Sequence, residues 1–298
     1  MIRRASAAAL AASAKLCSVI IRRIEQADAD ALRAVTALHA KTTRSALAYR
    51  LHQQHGHAGG RWWEAWIADE LTEAEGFVAL EGRFLVAALP YHLNSAAATA
   101  TLGTLAMDTH AATPDYATSL LRHTLNWLRV VGMNSVTVRC FEDDLNADRL
   151  TAFGFAVEAA TRVFSHDAVE PTLTTETLTV TVREARMSEL KRLAALGLCD
   201  GQVRAYWLAV QGDEPLCLCR AELDQPTSLG RLTQLCARAE APVEAMLSLV
   251  AQVTQALFGR GARLCLGECA ATDNVARLAL ARAGFTEQGV ELQWRLTL

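Results

Sequence analysis

Charge of one sign is what this 298-residue sequence most plainly lacks. Its 29 Lys and Arg stand against 32 Asp and Glu, a formal net charge of −3. A nucleic-acid binder shows a basic surplus gathered on one face, and that electrostatic case is missing here. Long apolar runs are missing too. The best candidate, Ala7 to Ile21, is broken by Lys15 and falls short of the roughly 18 apolar residues a membrane span needs. Eight cysteines in a chain of this length are too sparse for a disulfide scaffold, which leaves a reducing cytoplasm as the default compartment. Charged residues make up only 20% and hydrophobic residues 51%, so the chain can bury a sizeable core and is not disordered. At the usual 100 to 200 residues per domain, roughly, the length suggests two domains.

Acids are absent from the start of the chain. Arg3, Arg4, Lys15, Arg22 and Arg23 precede the first one, Glu25, among many alanines. Two readings stand: an organellar presequence or weak secretory leader, or a short N-terminal helix or extension over residues 1–18. No clear cleavage site is visible, which favours the second.

What is present is a repeat. Val78-Ala79-Leu80-Glu81-Gly82-Arg83 is echoed 130 positions later by Leu208-Ala209-Val210-Gln211-Gly212-Asp213. Each reads as a strand and a tight glycine turn, the start of a β-hairpin. Gly154-Phe155 and Gly284-Phe285 close helical segments at the same spacing. At the starts of the halves, Ile20-Ile21-Arg22 leads through Asp28, and Thr181-Val182-Arg183 leads through Glu189, at a spacing of 161. Each acid stands near a helix start, where it suits the helix dipole. The 31 surplus residues of the first half therefore fall in Lys41 to Gly76.

The first half is predicted as strand 19–23, helix 27–40, the insertion, hairpin strands 76–80 and 84–92, strand 97–107, helix 115–131, strand 134–141, helix 144–153 and a closing strand pair over 155–165. The second is predicted with strands 178–183, 206–211, 215–222, 229–237, 262–268 and 289–297, and helices 187–197, 243–259 and 273–283. Strands and helices alternating around a mixed sheet make an α/β (α+β mixed sheet) unit used twice. The domains are placed at 19–167 and 178–298, joined by a linker at 168–177 that holds Pro171 and four threonines.

This order of elements, with an Arg followed six residues later by an acid and a Gly-Phe after the last helix, resembles the GNAT N-acetyltransferase superfamily, twice over nearly the whole chain. The segments Asp143 to Phe155 and Asp273 to Phe285 resemble the family's passage from a strand end through an Asn-bearing turn into a helix ending in Gly-Phe. The resemblance implies two tandem acyl-CoA N-acyltransferase domains, docked as an intramolecular pseudo-dimer. It also implies acetyl-CoA or another acyl-CoA as co-substrate and an amine of a small molecule or peptide as acceptor; no metal is expected, and the charge balance and short apolar runs argue against nucleic acid and membrane as partners.

The departures are specific. The family's Q/R-x-x-G-x-G/A turn lets backbone N–H groups converge on the pyrophosphate at a helix start. Here the region reads Ala112-Thr113-Pro114-Asp115-Tyr116-Ala117-Thr118-Ser119, and its second copy Arg238-Ala239-Glu240-Ala241-Pro242-Val243-Glu244-Ala245; neither keeps the glycines. Thr113, Ala117, Thr118 and Ser119 can still present N–H and hydroxyl groups to an anion, and Asn146 joins them as a cofactor-binding candidate. In the second copy Glu240 and Glu244 offset Arg238. The Tyr that serves the family as general acid falls at Leu150 and Leu280, so Tyr116 and Cys140 become the candidate acids on position alone; the structural reading of each is favoured.

For the base that takes a proton from the acceptor, His110 comes first and Asp108 next, because both follow the strand 97–107. His92, Tyr91 and, in the second half, Glu268 stand at similar strand ends. The insertion holds His52, His55 and His57 followed by Trp62, Trp63 and Trp66. It reads as a Trp-packed helix or an acceptor lid, since no further ligand closes a metal set. Cys217, Cys219, Cys265 and Cys269 lie within strands and read as buried thiols, not a zinc knuckle. The long acceptor segment places activity in the N-terminal half. The other class kept open is a catalytically inactive GNAT-like binding or scaffold protein, which the missing glycines favour; an aminoacyl-tRNA-using transferase is disfavoured by the near-neutral charge.

Overall fold

In the computed structural model the described residues build one thirteen-stranded sheet out of both halves. The structure describes residues 19–28, 30–32, 34–35, 38, 75–103, 105–107, 115–142, 144, 146–167, 180–195, 206–225 and 228–298. The N-terminal extension, most of the insertion and the linker lie outside the described residues.

The first half runs β1 (Val19–Arg23), β2 (Glu75–Glu81), β3 (Phe84–Asn94), β4 (Thr99–Leu102), β5 (Ala106–Met107), α1 (Asp115–Val130), β6 (Ser135–Phe141), α2 (Ala147–Ala152) and β7 (Ala156–Asp167). A 3-10 turn at Gln26–Asp28 follows β1, with helical positions beyond it at 30–32, 34, 35 and 38. The second half runs β8 (Thr181–Glu184), α3 (Met187–Ala195), β9 (Tyr206–Gln211), β10 (Glu214–Asp224), β11 (Leu229–Ala237), α4 (Val243–Gly259), β12 (Leu264–Ala270), α5 (Asn274–Arg282) and β13 (Thr286–Thr297).

Local chemistry explains the elements. Gly82 and Gly212 both take φ +62° at the first central position of two-residue hairpin turns, a conformation glycine adopts without steric cost. In α1, Ala117, Leu120, Leu121, Thr124, Leu125 and Leu128 are buried at the three- and four-residue spacing of one helix face. The Arg-to-acid spacing at the head of each half is a clasp. Arg22 donates from both terminal nitrogens to Asp28 at 2.7 Å, and the Glu25 N–H donates to the same carboxylate at 2.9 Å. Arg183 repeats this on Glu189 at 2.8 and 2.5 Å, with the Arg186 N–H at 2.8 Å. The acids thus bind a guanidinium and a turn N–H together, which is stronger than the dipole interaction expected of them.

The strand order is β1-β2-β3-β4-β6-β13-β7-β12-β11-β10-β9-β8. Read from either edge it presents the same succession, and the two halves meet between β13 and β7. Here the expected closing strand pair over 155–165 is corrected. That stretch is a single long strand, β7, which leaves its own half to pair antiparallel with β12, from Asp167↔Leu264 to Thr161↔Ala270. In return β13 pairs with β6, from Glu291↔Phe141 to Thr297↔Ser135. Turn chemistry visible in sequence marks where a strand begins, but not which half accepts it.

The two largest cores among the described residues form on this exchange. The first packs α1 and α2 against β2, β3, β4 and β6 and includes Trp294 from β13. The second packs α4 and α5 against β9 to β12 and includes Phe164 from β7. Each half therefore completes its core with a residue from the other half's last strand. Cys217, Cys219, Cys265 and Cys269 all lie in the second core, where burial pushes Cys217 and Cys265 up to about 12 and Cys269 up to about 11.

Candidate functional site

The sheet opens at one place in each half. In the first, β4 pairs parallel with β6 from Thr99↔Ser135 to Leu102↔Val138 and then stops, while β6 runs on to Phe141 along β13. The cause is a bulge. Between Leu102, which faces Tyr91, and Ala106, which faces Ala88, three residues oppose two. Pro90 lies in that gap; it has no N–H to give a ladder and accepts from Gly103 N–H at 2.8 Å, so pairing fails there. The predicted continuous strand 97–107 is therefore two strands, β4 and β5.

The second half repeats the device without a proline. Leu218 faces Cys236 and Arg220 faces Thr233, so Gln234 and Leu235 oppose Cys219 alone. Gln234 takes φ +50°, the left-handed conformation that a bulge demands of its extra residue, and its Oε1 accepts from the Tyr206 hydroxyl at 2.5 Å. Parallel pairing of β11 with β12 runs from Leu229↔Leu264 to Leu232↔Gly267 and ends there. A bulge bends its strand away from the neighbour, and each opening leaves strand edges without a ladder partner.

At the second opening lies a cavity of about 530 Å³. Its lining crosses the seam: Arg139 from β6 and Thr161 from β7 face Arg220, Arg231, Gln234 and Glu268 from the second half. Arg231 donates to Glu268 at 2.5 Å, Arg220 is paired with Glu222, and Arg139 lies 3.6 Å from Glu291 of β13. Burial raises the Glu291 carboxyl above its ordinary value, and the neighbouring Glu268 charge adds to this against Arg139 and Arg231. Glu268 is thus part of a charged cluster and only 15% exposed.

The sequence-predicted residues divide sharply. Asp108, His110 and Thr113 lie outside the described residues, as do His52, His55, His57 and the three insertion tryptophans. Ala117 is buried in the first core, and Thr118, Ser119 and Tyr116 are half-buried in the first turns of α1. Cys140 is buried on β6, where burial, with Asp144 adding, pushes its thiol up to about 12. Asn146 is buried and ties the start of α2 to the bulged segment, donating from Nδ2 to the Leu105 carbonyl at 3.3 Å. Tyr91 is buried, its hydroxyl donating to Glu75 at 2.8 Å, and His92 is exposed. At the start of α4, Arg238 lies 3.4 Å from Glu214 and 3.3 Å from Glu240, and Glu244 pairs with Arg282 at 3.2 Å. Among the described residues no group of three or more His, Cys, Asp or Glu side chains is placed to hold a metal, and no helix is long and apolar enough to cross a membrane.

Sequence reasoning missed Arg139, Arg231 and Glu291. Arg231 and Glu268 are 37 positions apart, and Arg139 and Glu291 meet only through the exchanged strand. The one available signal was Glu268 at a strand end.

Antiparallel strands, a bulge, a parallel pair that parts and a helix at the parting define the fold of the GNAT N-acetyltransferases, present here in tandem. A GCN5-related N-acetyltransferase from Sphaerobacter thermophilus matches with TM-score 0.67 at 15% identity, over 94% of this chain and 95% of that one. A tandem GNAT protein from the clavulanic acid biosynthesis pathway matches with TM-score 0.62 at 13% identity, over 94% and 98%. The glucosamine N-acetyltransferase region of a fungal multi-domain β-N-acetylglucosaminidase gives 0.61 at 12%, over 94% of this chain and 38% of that one. At these identities the likeness establishes the fold. No protein-family model and no curated protein matches the sequence.

Proposed function

We propose that this protein transfers an acyl group, most simply acetyl, from acyl-CoA to an amine of a small molecule or peptide, with the first half as the active copy. The observation that carries the proposal is the parting of β4 from β6 after Leu102 and Val138. An extended amide-bearing arm such as pantetheine can enter a gap of this kind and pair with strand edges. In this reading Thr113, Ala117, Thr118 and Ser119 hold the pyrophosphate at the start of α1, aided by the helix dipole, and Asn146 holds the wall of the opening in place. The second half is the poorer donor site, because the side chains at the start of α4 are engaged in ion pairs with one another's neighbours and two of them are acids.

His110, with Asp108 as the alternative, takes the proton from the acceptor ammonium. The free amine then attacks the thioester carbonyl, and the C–S bond breaks as the amide forms. The departing thiolate takes a proton from the general acid. Of the two candidates, Cys140 is the weaker: at about 12 against an ordinary thiol value of 9.0, its proton transfer to a thiolate runs uphill by about 4 kcal/mol. Tyr116, in the first turn of α1, is the proposed acid.

Calorimetry with acetyl-CoA tests the reading. Heat of binding and a raised melting temperature are expected, and both should weaken in Thr118→Asp, which sets a negative charge at the helix start. Neither heat nor a melting shift at millimolar acetyl-CoA would leave the non-catalytic binding or scaffold class in its place.

A further inference from the structure

The charged cleft at the seam does not belong to the acyl-transfer site of the first half, and its chemistry is unlike that of a core. Three guanidinium groups and two carboxylates line it from four strands: Arg139 on β6, Glu268 on β12, Arg231 on β11, and Arg220 and Glu222 on β10; Glu291 on β13 stands behind Arg139 at 3.6 Å. Electrostatic interaction links Arg231 to Glu268, Glu291 and Glu222 together, so this is one cluster and not a set of separate surface pairs. Its charges sum to zero.

We propose that this cleft is a ligand site for a small zwitterion, a molecule of amino-acid to dipeptide size that carries one carboxylate and one ammonium group. A guanidinium offers five N–H donors in a planar fork, and the side chains of Arg139 and Arg231 remain about half exposed, at 52% and 46%. Both forks can therefore present donors to a carboxylate, the arrangement for which arginine geometry is best suited. Beside them, Glu268 in the lining and Glu291 behind Arg139 are mostly covered and near enough to each other to interact. Each already meets one arginine; when a ligand carboxylate engages those arginines, the ligand's ammonium can take their place at Glu268, the carboxylate that lines the cleft. A volume of about 530 Å³ falls in the range of small-molecule sites, roughly 300 to 1,000 Å³. Neither half builds the site alone, because the strand exchange sets Glu291 beside Arg139 and Thr161 beside Ala270. The proposal does not rest on the acyl-transfer reading.

The test uses the full chain, with calorimetry and thermal melting against millimolar L-alanine and L-alanyl-L-alanine. Sodium acetate together with methylammonium chloride serves as the control that separates the two charges. Binding of at least one zwitterion and not of the separated ions is expected, weakened about tenfold or more in both Arg139→Gln and Glu268→Gln, as loss of a charge-assisted hydrogen bond predicts. Arg139 is half exposed, so its variant reads binding without disturbing the fold. Absence of binding by both zwitterions, equal binding of the separated ions, or unchanged affinity in Arg139→Gln overturns the proposal. Acetyl-CoA binding, measured in the same samples, stands or falls separately.

Discussion

Trp294 is the sharpest probe of the strand exchange. It belongs to the last strand of the chain, yet it is 7% exposed within the first-half core. Burying a tryptophan removes on the order of 200 Å² from water, worth about 5 kcal/mol as an upper bound at ~25 cal/mol/Å². Its indole N–H is buried with only the Cys140 sulfur, a weak acceptor, to interact with, which offsets about 1–2 kcal/mol of that gain. Trp294→Ala should therefore cost about 3–4 kcal/mol, inside the range for large-to-small core changes. The loss should also be local. Hydrogen exchange in the variant should rise first in α1 and β6, more than 150 positions away in sequence, and later in α4 and β12. Phe164→Ala, which removes the reciprocal residue from the second core, should show the opposite order. Denaturant unfolding with a loss below about 1 kcal/mol, or α4 opening before α1 in Trp294→Ala, would refute the exchanged arrangement.

Two further outcomes follow from single contacts. The Arg183 hydrogen bond and charge hold the Glu189 carboxyl down at about 2 against an ordinary 4.5; a depressed folded-state value contributes stability above the unfolded value and loses it as pH falls. Stability should thus decline between about pH 4.5 and 2, by on the order of 1–3 kcal/mol for a group this solvent-exposed. Glu189→Gln should flatten that slope in acid titrations followed by circular dichroism, and an unchanged slope would remove the clasp as its cause. A methyl group added at Gly267 would stand 2.5 Å from Leu280 Cδ2, on a side chain that is fully buried, so Gly267→Ala should destabilise by about 1–3 kcal/mol. Gly259→Ala meets nothing within 4 Å at the end of α4 and should be neutral or slightly stabilising in the same melts; equal losses at the two sites would refute the packing argument.

Much of the local structure is legible in the residues themselves. The sequence predicts α4 over 243–259 and β11 over 229–237, the observed spans, because a helical apolar face and a strand bounded by turn residues are short-range signals. The paired hairpins were equally readable, since Gly82 and Gly212 mark turns that few other residues can make. The break between β4 and β5 was not. It depends on Pro90 lying across from Gly103, and a strand read alone does not reveal the residue that faces it. The candidate base and phosphate residues followed from a resemblance, and Asp108, His110 and Thr113 lie outside the described residues, whereas Cys140 and Asn146 proved to be buried.

The sequence by itself determined a repeated unit, most of its elements, and the glycine turns and the Arg-to-acid spacing that start and space it, because each depends on neighbours within a few residues. Tertiary structure alone decided which half receives each closing strand. Antiparallel pairing satisfies the backbone groups of β7 as well on β12 as on a strand of its own half, and only the completed cores, with Trp294 in one and Phe164 in the other, distinguish the two. The same exchange brought Arg139, Glu291, Arg231 and Glu268 into one cleft, a grouping that no spacing along the chain encodes.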